Sequence, residues 1–179
     1  MEFSELVKVR RSCRRYTAES VSREELEALL EKANLSASAC NSQPWHFSVL
    51  LSEQKRALGA EAVYVFPPTN GFAKDAAALV VISAEREPDV MPGVKQRLGS
   101  DYFSDIDIGS VTAYFTLAAA DAGLGTCIMG VFDEKKLREA AELSDELVPR
   151  LVIAVGHAAV GDRPVSKKRK PLSEKTVVL

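Results

Sequence analysis

Residues 77–84, AALVVISA, are the strongest single constraint on what this chain can fold into. Apolar side chains occupy both alternating faces of the run, which fits a strand covered on both sides. PRLVIAVGHA (149–158) is a second such segment, and WHFSVLL (45–51) is a third in which Trp45, Phe47 and Val49 share one side. Helical patterns separate these strands without regular β-α-β alternation. The expected class is therefore α+β, with helices around a central, mainly antiparallel or mixed sheet. At 179 residues the chain is long enough for one domain with a substantial core, and it is read as a single domain over 1–179.

The helices carry their own signals. In VSREELEALLEKA, Ser22 is an N-cap, Glu25 completes a capping box, and Val21 and Leu26 are placed for a hydrophobic staple. Leu26, Leu29, Leu30 and Ala33 form one apolar face. SELVKV predicts a short opening helix, EQKRALGAEA another, and Asp133 caps EKKLREAAEL. The longest helix is expected from about Asp105 to Ala122, with Gly123 as its C-cap. Gly109, Ser110, Ala113 and Ala118 to Ala120 would let another backbone approach it closely. YVFPPTNGF reads as a loop, EREPDVMPGVKQRLGSDYF as irregular with one short helix and a flap-like character, and the apolar end TVVL as a strand docked on its own subunit or a neighbour's.

Several functional classes are disfavoured. No apolar run approaches the ~18 residues that a membrane span needs, and the first residues lack the apolar core of a signal peptide. Cys13, Cys40 and Cys127 are odd in number and far apart, which fits reduced thiols in a cytoplasm. With His46 and His157 as the two histidines, no Cys/His group has metal-site spacing. GLGTCIMG has the glycine spacing of a phosphate loop, but Val131 and Phe132 stand where that loop needs Lys and Ser or Thr. Ile128 occupies the third glycine position of a dinucleotide fingerprint. No histidine or carboxylate can be paired with a cysteine from sequence, so the thiols read as structural.

Charge gives the positive lead. The net charge is −2, yet KVRRSCRR carries five cations near one end and KKRK four near the other. In an extended segment Arg10, Ser12 and Arg14 would point to one side, placing two guanidinium groups and a hydroxyl on a common face. Forked guanidinium groups match phosphate oxygens, so this segment has the chemistry of a phosphomonoester site.

Four stretches in order, RRSCRRY, ASACNSQPWHF, GLGTCIMG and KKRKP, together resemble the nitroreductase family of FMN-dependent oxidoreductases. The resemblance implies that fold as an intertwined homodimer, with tightly but non-covalently held FMN at the subunit interface. It implies that Arg10, Ser12 and Arg14, with Arg11 adjacent, hold the FMN phosphate and ribityl chain, joined by Lys167 and Arg169 of the tail. Ser38, Asn41 and Gln43 would meet the flavin ring from the partner subunit, and Met129 and Gly130 would lie beside it. NAD(P)H would be the co-substrate and a nitroaromatic, quinone or similar planar compound the acceptor, in ping-pong two-electron turnover with no catalytic side chain.

The chain departs from the family pattern at Ala37 for proline, Ala39 for a second serine and Met129 for an acidic residue. These changes remove one side-chain donor to the ring and bear on its potential. Two other functions compete: an FMN-storing or flavin-modifying protein without NAD(P)H turnover, and a polyanion-binding module, which the charge of −2 and the lack of an aromatic-rich basic face weaken.

Overall fold

The structure is a computed structural model that describes residues 1–66, 69–162 and 167–179. Four strands, β1 (Trp45–Leu50), β2 (Ala78–Glu85), β3 (Gly125–Met129) and β4 (Leu147–Gly156), form one antiparallel sheet in the order β1-β2-β4-β3. The two most apolar runs therefore pair at its centre, with Val80 opposite Ile153 and Val81 opposite Val152. A residue with neighbours on both sides and helices on both faces has to be apolar whichever way it points, which explains why β2 is buried from Ala78 through Ala84.

The described residues form six α-helices, α1 (Phe3–Val9), α2 (Arg23–Ala33), α3 (Glu53–Val63), α4 (Pro92–Leu98), α5 (Ser104–Asp121) and α6 (Glu134–Ala141), of which α2, α3, α5 and α6 cover the sheet. On one face α2 and α5 bury Leu26, Leu29, Ile108, Val111 and Phe115 against Trp45, Val80, Ile82 and Ile153. On the other, α3 and α6 bury Val63, Leu137 and Ala140 against Leu79, Val81, Cys127, Met129 and Val152. Ser22 caps α2 in a complete capping box: its hydroxyl accepts from the Glu25 amide at 3.1 Å while its own amide donates to the Glu25 carboxylate at 2.8 Å. Asp133 caps α6 through the Lys136 amide.

The end of α5 matters for the site. Gly123 takes φ +80, the Leu124 amide donates to Ala119 O at 2.8 Å, and the Gly123 amide donates to Ala120 O at 3.1 Å. This paired closure turns the chain sharply from α5 into β3. Ala118 and Ala119 are buried in the chain's own core, so the expectation that they face another backbone is corrected; Gly109, Ser110 and Ala113 are exposed.

Val177, Val178 and Leu179 are exposed and belong to no strand, so this end does not dock on its own sheet; docking on a neighbouring subunit is the form of the expectation that stands. The region after β2 holds the expected short helix as α4 at Pro92–Leu98, and a short 3-10 turn at Gly71–Asp75 follows from the end of the expected loop. Pro67 and Pro68 of that loop, and residues 163–166 of the basic tail, lie outside the described residues.

Candidate functional site

The sequence-derived residues gather at the two ends of α5. At its C-terminal end, the chain leaves α1 and runs extended from Arg10, pairing beside β3 through a parallel bridge between Ser12 and Thr126. The Cys13 amide donates to Thr126 O at 2.8 Å. Cys13 points inward, 1 % exposed, onto Gly125, where an added Cβ would come within 2.8 Å of the Cys13 Cβ and Sγ. Only glycine leaves room for that approach. Because Cys13 points in, Ser12 and Arg14 point out, as the alternation predicts. Tyr16 locks the segment from below, its hydroxyl donating to Cys13 O at 2.9 Å. Burial pushes the Cys13 thiol up to about 11 and the Tyr16 hydroxyl upward as well. Neither group ionises near neutrality, so neither serves as a nucleophile or base there.

The cations of this region separate into two kinds. Arg11 turns aside and pairs with both the carboxylate and the carbonyl of Asp162, whose carboxyl is held low despite partial burial. It is thereby committed to bridging the first extended segment and the tail. Arg10, Arg14, Lys167 and Arg169 have no carboxylate within ion-pair distance among the described residues. Lys167 donates to Val7 O at 2.9 Å. Partial desolvation and the charges of Arg10 and Arg169 hold its ammonium below the usual lysine range. The charges of Arg10 and Arg169 thus act on Lys167 with no carboxylate beside the three among the described residues, which makes this end of α5 electropositive.

At the N-terminal end of α5 lies a tightly folded loop. Ser38 Oγ accepts from the Gln43 amide at 2.9 Å, and the Gln43 side-chain amide donates to Asn41 O at 3.1 Å. Cys40, Asn41 and Gln43 all take positive φ, at 54, 53 and 46. The Ala39 amide donates to both carboxylate oxygens of Asp107, at 3.2 Å each. The chain then enters β1 through buried Trp45, whose indole N–H donates to Asn34 Oδ1 at 2.8 Å. The Asn41 side chain and the Gln43 amide oxygen carry no hydrogen bond among the described residues, so they remain available to a ligand.

Met129 and Gly130 end β3. The Met129 side chain is buried against α3 and α6, while Gly130 is exposed. Whatever Met129 offers outward is therefore backbone. Ile128 points to the other face and is half-exposed.

Two residues escaped the sequence reading. Asp107 looks like an ordinary acid in the first turn of a helix, and Asp162 like one charge in a polar tail. The acid spacing in SDIDIG was the one available signal for Asp107: on a helix buried on one side, one of its two aspartates had to face inward.

The nitroreductase family model matches residues 7–157. The chain belongs to the nitroreductase family. Its match to the "oxygen-insensitive NADPH nitroreductase" of Helicobacter pylori is 27 % identical and covers 77 % of this chain and 78 % of the relative. A protein of Archaeoglobus fulgidus named "Putative NADH dehydrogenase/NAD(P)H nitroreductase" is 29 % identical over 87 % of this chain and 85 % of its own. Among solved structures, one from Exiguobacterium sibiricum, described as "a putative nitroreductase in complex with FMN", superposes with a TM-score of 0.86 at 25 % identity, covering 100 % of this chain and 98 % of that one. The antiparallel sheet and its helices are thus the nitroreductase fold, and membership places the chain among oxidoreductases.

Proposed function

We propose that this nitroreductase-family chain, one domain over residues 1–179, is an FMN-dependent oxidoreductase. It takes reducing equivalents from NAD(P)H and delivers them to a nitroaromatic, quinone or similar planar acceptor. The observation that carries this reading is the group of Arg10, Lys167 and Arg169, in which the two guanidinium charges act on Lys167 and none has a carboxylate partner among the described residues. With outward-facing Ser12 and Arg14, this donor set fits the phosphate and ribityl end of FMN. The Asn41 side chain and the Gln43 amide oxygen, both without a hydrogen bond among the described residues, fit the donor-and-acceptor edge of the flavin ring.

These two halves lie far apart in one chain. From Asp107 to Asp121, α5 advances about 21 Å at 1.5 Å per residue. A second copy would bring its amide loop to the first copy's cations. The exposed stripe of Ile106, Gly109, Ser110, Ala113 and Tyr114 on α5 is the surface on which such a homodimer would close. FMN, when bound, supplies the two-electron chemistry, and the chain's own residues bind and orient it. Three free cysteines, two of them buried, suit a reducing compartment such as the cytoplasm.

The test is an absorption spectrum of purified protein, followed by anaerobic addition of NADH and then NADPH. A yellow protein bleached by either nucleotide is the expected result; a bound flavin that neither nucleotide reduces would identify an FMN-storing protein instead. Arg14→Ala with Arg169→Ala should release FMN on dilution, since one charge-assisted contact contributes roughly 1.5–3 kcal/mol. Full flavin loading of the double variant would refute the phosphate assignment.

A further inference from the structure

The geometry points to Asp107 as the positioning residue that sets the amide loop, Ser38 to Gln43, in the conformation that receives the flavin ring. The inference rests on the flavin reading above and adds to it a residue that touches no ligand itself.

Asp107 is 5 % exposed, and burying a carboxylate is costly unless something compensates. No cation does so: no Lys, Arg or His lies within ion-pair distance of it among the described residues. The Ala39 amide is its one hydrogen-bond partner, shared between both oxygens. Its place in the first turn of α5 offsets part of the cost, because helix N-termini favour negative charge. An apolar side chain would fill the space without the desolvation. The acid is accounted for by what it does to Ala39.

Ala39 opens a stretch in which Cys40, Asn41 and Gln43 hold left-handed backbone. Such conformations in residues other than glycine persist only where the surroundings over-determine them. Two clamps meet that need here: Ser38 Oγ on the Gln43 amide closes the loop upon itself, and Asp107 on the Ala39 amide fixes it to α5. Without the second clamp the loop keeps its internal closure but loses its orientation to the rest of the protein. Asn41 and Gln43 then present their amides in a range of directions rather than one.

Asp107→Ala and Asp107→Asn test this, the second keeping shape and one acceptor oxygen. The first readout needs no cofactor: amide hydrogen exchange of residues 36–44 in flavin-free protein. Exchange should rise roughly tenfold or more in Asp107→Ala and less in Asp107→Asn, with α2 and β2 unchanged. The second readout is the FMN dissociation constant and the shape of the bound flavin's visible band. Affinity should fall by a similar factor, with the band moving towards that of free flavin. Unchanged exchange at 36–44 overturns the inference. So does faster exchange with wild-type affinity and spectrum, or a rise spread evenly over α2 and β2, which would mark a merely structural residue. A wild-type protein that takes no FMN overturns the flavin reading itself and the cofactor half of this inference with it; the exchange readout still decides the clamp.

Discussion

At one end of α5 Arg10, Arg14, Lys167 and Arg169 stand without counter-charges; at the other, six residues are folded around two hydrogen-bonded clamps and a buried indole. The cationic end holds its backbone by one inward cysteine and carries its charges on long side chains, exposed at Arg14 and Arg169 and partly buried at Arg10 and Lys167. The amide end uses short side chains whose positions are set by left-handed backbone. A phosphate is recognised by charge over several ångströms and tolerates movement of its partners. A ring edge is recognised by donors and acceptors that must be placed within a few tenths of an ångström. The two ends are therefore expected to fail differently, one in binding alone and the other in binding and stability together.

Trp45→Ala should give the largest effect on that comparison. The side chain is 7 % exposed and packs between α2 and the sheet, so its removal costs about 3–5 kcal/mol. Thermal unfolding should fall by many degrees and FMN affinity with it. Trp45→Phe keeps most of the packing and loses the bond to Asn34, which costs about 1 kcal/mol. If flavin affinity is untouched in both variants, the amide end is not tied to the core through Trp45.

Arg10→Ala comes next and addresses the other end. FMN binding should weaken by roughly 1.5–3 kcal/mol, while stability stays within about 0.5 kcal/mol of wild type because no ion pair is lost. Relief of repulsion on Lys167 makes even a small gain in stability the natural direction. A stability loss as large as the binding loss would show that the two ends do not differ in the way argued here.

How much of this was legible in the sequence follows from the range of each interaction. The capping box of Ser22 and Glu25, the doubly apolar β2 and the outward turn of Ser12 and Arg14 are local, and periodicity alone reveals them. The four motifs revealed the family because each keeps a short signature. What stayed hidden depends on partners far along the chain. Arg11 read as one more cation beside the phosphate until Asp162 was seen against it. Met129 offers only its backbone outward, because β3 turns its side chain into the core, and which face a strand residue shows to the core depends on helices distant in sequence. Nothing in ACNSQ announces left-handed backbone, since glycine, its usual marker, is absent from the loop. TVVL has the composition of a strand, but composition does not say whose sheet it joins, and it joins none of its own chain.

The smallest expected effect concerns pH and separates the two ends without mutating a binding residue. Cys13 anchors the cationic segment, and burial raises its thiol to about 11 from an ordinary value near 9. The unfolded chain therefore loses this proton first. Between about pH 9 and 11 the native state holds more protons than the unfolded one, so stability falls as pH rises, by at most about 1.4 kcal/mol per pH unit from this group. Below pH 9 the contribution is complete and flat. Urea unfolding at pH 8, 9 and 10 should show this slope, and Cys13→Ala should lessen it from a lower starting stability, leaving the part contributed by buried Cys127 and Tyr16, which burial also shifts upward. Hydrogen exchange over the same range, corrected for the intrinsic rate, should loosen residues 10–16 before 36–44, because the cationic segment rests on the titrating thiol and the amide loop does not. Loosening of both segments together would mean that the two ends of α5 form a single cooperative unit, and the contrast drawn between them would not stand.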